Sequence, residues 1–283
     1  MAAKILYSKP LIDNSISEFK KRVAAIVQKR GSPPKLAVVL VGEDPASVIY
    51  TSNKGKAAVA IGMKHQTVKL LASISPEAAF LEIKKLNEDP SVDGILIQRP
   101  LPKSFKEEEL IYWIAPKKDV DCFHPENLGR LVLGFSGPKS CTPDGVMRLL
   151  AHYGISPAGK TACIIGRSAI VGKPMTSLLL NANATVIQCH SQTKNLESYT
   201  KTADILIVAA GKPHLVRAEH IKPGAVVIDV GIHRDAAGKI VGDVHAESAT
   251  NVASALSPVP GGVGPMTINS LILNTIVAAE NGL

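Results

Sequence analysis

Cysteine is scarce and scattered in this chain. Its 283 residues hold four, Cys122, Cys141, Cys163 and Cys189. No two form a CxxC pair, which excludes a disulfide framework and makes them reduced thiols of a cytosolic protein. Long apolar runs are also missing. The longest, such as ILIVAA at 205–210, are strand-sized, so no membrane span is expected. The opening MAAKILYSKP has too short an apolar run for a signal peptide. The eight histidines form no HExxH or similar ligand spacing, so no metal is expected. There is no basic tail and no stripe of basic and aromatic residues, which argues against a nucleic-acid partner. The net charge of +8 is spread out, its densest run being Lys20-Lys21-Arg22. Such a surface suits small anions such as phosphates and polycarboxylates.

What is present is aliphatic. Hydrophobic residues make up 46% of the chain and aromatic residues only 4%, which fits α/β layers built from Val, Ile, Leu and Ala. The length suits two domains. Ile12, Ile16, Phe19, Val23, Ile26 and Val27 recur at steps of three and four, which predicts an amphipathic helix closed by Lys29, Arg30 and Gly31. The run LAVVLV at 36–41 reads as a buried strand, with a helix over 46–61 after it. A strand over 64–71, a helix from Ser75-Pro76-Glu77 to about Asn87, a strand over 95–98 and a short helix over 106–114 follow. Residues 116–139 read as irregular and hold the domain junction.

Beyond a helix over 142–154, strands over 161–165, 185–189, 205–208 and 225–230 alternate with helices. Alternation implies right-handed crossovers and a parallel sheet. The chain closes with the loop SPVPGGVGPMT and an apolar helix over 268–279. The expected fold is therefore two α/β domains, 1–139 and 140–283, with a cleft between them. The second is a Rossmann-like, doubly wound parallel sheet. The last helix, 266–283, is expected to pack back on the first domain, because its apolar face needs cover.

Two stretches carry chemistry. On the helix after LAVVLV, Tyr50 and Lys54 stand four residues apart and share a face, just past a strand end where open α/β sheets place ligands. The bland alternative is a solvated surface lysine, the reading kept for nearby Lys56. Thr51, Ser52, Asn53 and Gly55 are poor helix formers around Lys54, and Gly55 leaves room there for a ligand or a partner loop. The second stretch is CIIGRSAIVGKP, 163–174, a glycine turn between a strand and a helix. Backbone N–H groups at such a helix start hold a pyrophosphate; the alternative is a tight turn without a ligand. The next strand ends Gln188-Cys189-His190-Ser191, without the acid that would bind a ribose 2′-hydroxyl. Arg167 in the turn and Ser191 at the strand end suit a 2′-phosphate, so NADP is expected over NAD.

Six stretches in order resemble one family: VGEDPASVIYTSNKGK (41–56), GILIQRPLP (94–102), PKKDVDCFHPENLGRL (116–131), CTPDGVMRLL (141–150), IIGRSAIVGKP (164–174) and PVPGGVGPMT (258–267). Together they resemble the bifunctional methylenetetrahydrofolate dehydrogenase/cyclohydrolases, the FolD type. The resemblance implies oxidation of 5,10-methylenetetrahydrofolate by NADP, then hydrolysis of the methenyl product to 10-formyltetrahydrofolate. It further implies a cytoplasmic homodimer serving one-carbon metabolism on a polyglutamylated folate.

By the same resemblance Lys54, Gln98 and Asp121 are catalytic. Lysine must be lowered toward the working pH by burial or a nearby cation to act as an acid–base group. Gln98 is expected to hold Lys54 and favour its neutral form, though a loop-start glutamine can also cap its own backbone. Asp121 would accept the adjacent N–H donors of a pterin, while Asp119 would fix the loop. Tyr50 would stack on the folate, unless it only packs the helix. Pro260 and Gly261 would line the substrate site, in a loop where an X–Pro bond is a candidate for cis. Gly166, Arg167, Ser168, Ser191 and Ile232 would hold the cofactor. The chain departs from the family at Arg99, where an apolar residue is usual, and at Cys122, where glycine is usual. The rival readings are another two-domain NADP dehydrogenase of the shikimate dehydrogenase type, which gives Q-x-P-L-P and D-V-D no role, and a basic NADP- or nucleic-acid-binding protein.

Overall fold

The apolar run on which the first sheet is built is Lys35–Val41. In the computed structural model, which describes residues 2–282, this strand lies between Lys64–Leu70 and Gly94–Ile97, parallel to both. Its side chains alternate between two cores, which is why the sequence is continuously apolar. Leu36 and Val38 pack with Phe19, Val23 and Ile26 of helix Lys9–Arg30. Ala37, Val39 and Val41 pack with Ala79, Ile83 and Leu86 of helix Pro76–Glu88. Ser75 caps that second helix, its hydroxyl accepting from the Ala78 amide at 3.2 Å.

The chain divides into two compact units. The three-stranded sheet belongs to the unit made of residues 13–130, 136–141 and the chain from Ile268 onward. Leu271, Ile272, Ile276 and Ala279 of the last helix, Val263–Asn281, lie in one core with Phe19 and Leu36. Asn274 on that helix donates to the carbonyls of Val120 and Lys139, both at 2.8 Å. Arg22 and Glu280 form a two-pronged ion pair at 2.6 and 2.8 Å.

The other unit contains the residues up to Ile12, residues 131–135 and residues 142–267. Its sheet has six parallel strands in the order Lys4–Ile5, Ala255–Leu256, Val226–Asp229, Ile205–Val208, Thr161–Ile165 and Thr185–Cys189. The chain leaves Thr161–Ile165 on one side for Thr185–Cys189, then returns to its other side at Ile205–Val208. That reversal opens a crevice at the carboxyl ends of the strands, the ligand position of a doubly wound sheet.

Several elements differ from the sequence reading. The first residues go with the six-stranded sheet and not with 1–139, because Lys4–Ile5 pairs with Ala255–Leu256. The short helix expected over 106–114 is helical only at Glu107–Leu110. Tyr112 and Trp113 then bond to the carbonyls three residues back, which tightens the chain out of α geometry. A helix, Pro125–Val132, lies in the stretch read as irregular; proline opens it and Glu126 sits in its first turn. The last helix begins inside the expected loop, at Val263, since Pro265 falls in its first turn, where no helical N–H bond is lost.

Candidate active site

The helix Pro45–Ala60 starts cleanly because Asp44 accepts from the Ser47 amide at 2.8 Å and Pro45 occupies the first turn. This fixes the face that carries Ser47, Thr51, Lys54, Gly55 and Ala58 inward. Lys54 is 8% exposed, so it is not a solvated lysine. Its Nζ donates to Oε1 of Gln98 at 2.8 Å. Gln98 follows the strand Gly94–Ile97, its amide donating to the Val39 carbonyl at 2.8 Å. Its own Nε2 donates to the Arg99 carbonyl at 2.6 Å, which fixes the amide so that its oxygen faces the lysine.

Burial lowers the Lys54 amine below the ordinary lysine range, with Asp121 and Cys141 opposing the shift. Gln98 does not supply the neutralising effect expected of it. An amide oxygen accepting from Nζ favours the ammonium, so the lowering is the work of desolvation. Burial likewise pushes the Asp121 carboxyl up, with Lys54 pulling it back. The two residues therefore face each other electrostatically, although part of Asp121 still reaches solvent. Cys141, which the sequence reading treated only as a reduced thiol, lies beside both; the signal available for it was its place at the head of CTPDG.

The D-V-D stretch divides its labour. Asp119 is buried and accepts from the His124 amide at 2.8 Å and from Asn127 Nδ2 at 3.0 Å. It holds the loop, as expected, and Asp121 is presented next to it. Asp121 lines a small pocket with Arg99 and Phe123. Tyr50 is half-buried one turn before Lys54, and burial raises its phenol.

In the six-stranded unit, the glycine turn follows Thr161–Ile165. Gly166 has φ +132, and a Cβ there would overlap the Ala209 carbonyl. A Cβ on Gly172 would overlap the Gly166 carbonyl. The turn thus closes on itself and opens the helix Gly172–Asn181. Gln188 Nε2 donates to the Gly166 carbonyl at 3.1 Å, and Ser168 Oγ accepts from the Val171 amide at 3.2 Å. Arg167, Ser168 and Ser191 are exposed around it, and Ile232 is 51% exposed past the end of Val226–Asp229. A tight turn bounded by two glycines at a helix start, with an exposed guanidinium and hydroxyls on its residues and the next strand end, fits a phosphorylated dinucleotide.

Two acids missed by the sequence reading brace this crevice. Asp243 is fully buried and accepts from the amides of Ala210, Gly211 and Lys212 at 2.6, 2.9 and 2.8 Å. His233 Nε2 stands 2.7 Å from the same carboxylate. Asp229 accepts from the amides of Gly231, Asp243 and Val244. Pro260 and Gly261 lie in the same unit. Val259–Pro260 is cis, and the Gly261 carbonyl accepts from the Ser8 amide at 3.0 Å and its hydroxyl at 2.8 Å. Among the described residues no cluster of three or more His, Cys, Asp or Glu is placed to hold a metal, and no helix is long and apolar enough to cross a membrane.

Residues 6–121 match the family model described as tetrahydrofolate dehydrogenase/cyclohydrolase, catalytic domain, and residues 140–283 match its NAD(P)-binding domain. The chain belongs to this family. It is 49% identical over 280 residues to the bifunctional protein FolD of Brevibacillus brevis, covering 99% of this chain and 98% of that one. The crystal structure of the Campylobacter jejuni bifunctional enzyme FolD superposes with a TM-score of 0.96 at 46% identity, covering 100% of both chains. The Trypanosoma brucei enzyme, complexed with NADP cofactor and inhibitor, gives a TM-score of 0.94 at 35% identity, covering 99% of this chain and 98% of that one. The shikimate dehydrogenase of Thermus thermophilus shares the fold alone, at 15% identity and a TM-score of 0.55.

Proposed function

We propose that the protein oxidises 5,10-methylenetetrahydrofolate with NADP and hydrolyses the methenyl product to 10-formyltetrahydrofolate. The observation that carries the hydrolytic half is the buried Lys54 with Nζ 2.8 Å from Gln98. The family match and the NADP-bound relative support the dehydrogenase half.

In this reading the unit with Lys54 binds folate and the six-stranded unit binds NADP. Asp121 accepts the N–H donors of the pterin, and Tyr50 covers its flat face. NADP, when bound, supplies the acceptor for the hydride. The glycine turn holds the pyrophosphate, and Arg167 and Ser191 take the 2′-phosphate. That step needs little proton transfer, so the residues contribute mainly alignment.

Hydrolysis demands more. Water adds to the methenyl carbon and one carbon–nitrogen bond breaks. A neutral Lys54 accepts the proton of the attacking water and returns one to the departing ring nitrogen. Gln98 fixes the amine in place through both of its amide bonds. The resemblance further supports a homodimer in the cytoplasm acting on polyglutamylated folate.

The test is to mix the protein with methylenetetrahydrofolate and NADP and follow NADPH, methenyl absorbance and the 10-formyl product. Folded protein without turnover overturns the reading. Lys54→Gln should abolish hydrolysis; full cyclohydrolase activity in that variant removes Lys54 from its role.

A further inference from the structure

Arg99 stands where an apolar residue is usual, yet its backbone is held from two sides. Its carbonyl accepts from Gln98 Nε2 at 2.6 Å and from Ser47 Oγ at 3.2 Å. The residue is therefore locked to the same strand end and helix turn that position Lys54. Its guanidinium lies over the Phe123 ring, 5.1 Å from the centroid. Both side chains are half-buried and line the pocket that contains Asp121. The charge of Arg99 also opposes the rise that burial imposes on the Asp121 carboxyl.

A planar cation and a carboxylate on one small pocket make a paired recognition element. A carboxylate takes two neighbouring N–H donors side by side. In a pterin those donors are the 2-amino group and N3–H, and the next atom along the ring edge is the 4-oxo acceptor. A carbonyl there requires a donor, and a guanidinium presents donors in its plane while its face stacks on an aromatic ring. We propose that Arg99 donates to the pterin 4-oxo group beside Asp121, making this site selective for 4-oxo over 4-amino pteridines. This rests on the folate reading above. Replacing the oxo group by an amino group sets donor against donor at Arg99 and also takes the N3 proton from Asp121, so the share of Arg99 is the change in preference when Arg99 alone is replaced.

The experiment measures dissociation constants of tetrahydrofolate and its 4-amino-4-deoxy analogue with wild type, Arg99→Leu and Arg99→Lys. Wild type should prefer the 4-oxo compound. Arg99→Leu should weaken tetrahydrofolate by about tenfold, as expected for one charge-assisted hydrogen bond, while the analogue changes little. Arg99→Lys should recover part of the preference, and the KM for NADP should stay unchanged in both variants. If Arg99→Leu weakens both compounds equally, the residue only packs Phe123 and the inference is overturned. An unchanged preference overturns it too. Wild type that turns over methylenetetrahydrofolate while Arg99→Leu keeps the preference removes this inference alone. Wild type that binds neither compound removes the folate reading with it.

Discussion

A Cβ built on Gly55 would stand 2.7 Å from Nδ1 of His65. The space beside Lys54 that the sequence opens to a ligand or a partner loop is taken by another segment of the chain, through an imidazole on the strand Lys64–Leu70. Helix and strand touch through this missing side chain, one residue past the buried Lys54.

Gly55→Ala gains about 1 kcal/mol of helix propensity and suffers an overlap typical of overpacking, about 1–3 kcal/mol. The expected net effect is destabilisation by about 1 kcal/mol in urea titration. A more stable variant would mean that His65 yields without cost.

Hydrolysis should rise with pH through the folded pKa of Lys54, which burial holds below the free value of ~10.4. Gln98→Leu removes the acceptor that favours the ammonium. Its hydrolytic profile should therefore move to lower pH while the maximal rate falls, because the amine is no longer held. A profile that moves upward would give Gln98 the neutralising role instead.

Cys122 adopts φ +61, a region where a Cβ costs about 1–2 kcal/mol. Two variants that both lack the thiol isolate this term. Cys122→Gly should be about 1 kcal/mol more stable than Cys122→Ala in thermal or chemical unfolding. Equal stabilities would show that the loop relaxes out of the left-handed region.

Burial pushes the Asp229 carboxyl up to about 6, against three backbone N–H bonds. The folded state then holds this proton more tightly than an unfolded chain with its pKa near ~3.9. Its contribution to stability is complete below the unfolded pKa and is lost as pH rises through about 6. Asp229→Asn should flatten that part of the pH–stability curve. An NMR titration midpoint of Asp229 below the ordinary carboxylate value would show the N–H bonds outweighing burial.

Arg167 is the exposed cation of the glycine turn. Arg167→Ala should lower kcat/KM with NADP by about tenfold or more and leave the NAD value nearly unchanged, as loss of a charge-assisted phosphate contact requires. The same NADP/NAD preference in both proteins would assign the 2′-phosphate to other groups.

The long strands and helices were legible because their apolar period runs for a whole element. Thr161–Ile165, Thr185–Cys189 and Ile205–Val208 fall where the sequence puts them. Lys4–Ile5 and Ala255–Leu256 were not, since two residues carry no period and the parallel partner is remote. The hairpin His233–Arg234 with Ile240–Val241 was hidden for the same reason. In the site, Tyr50 and Lys54 share a face by spacing alone. The Lys54–Gln98 contact depends on the pairing of Lys35–Val41 with Gly94–Ile97, which no local pattern announces. The Asp243 clamp was invisible because its partners, His233 apart, are backbone amides, which any residue could supply.

The edge strand Lys4–Ile5 and the core position of the last helix bear on how the protein is made. Each unit is completed by the opposite end of the chain: one needs Ala255–Leu256 to receive its first strand, the other needs Ile272 and Ile276 to cover Phe19 and Leu36. Domains usually fold in turn as they leave the ribosome, the amino-terminal one first. Here neither closes on its amino-terminal residues alone, so the emerging chain carries open apolar faces until Ala255–Leu256 and the helix Val263–Asn281 have followed.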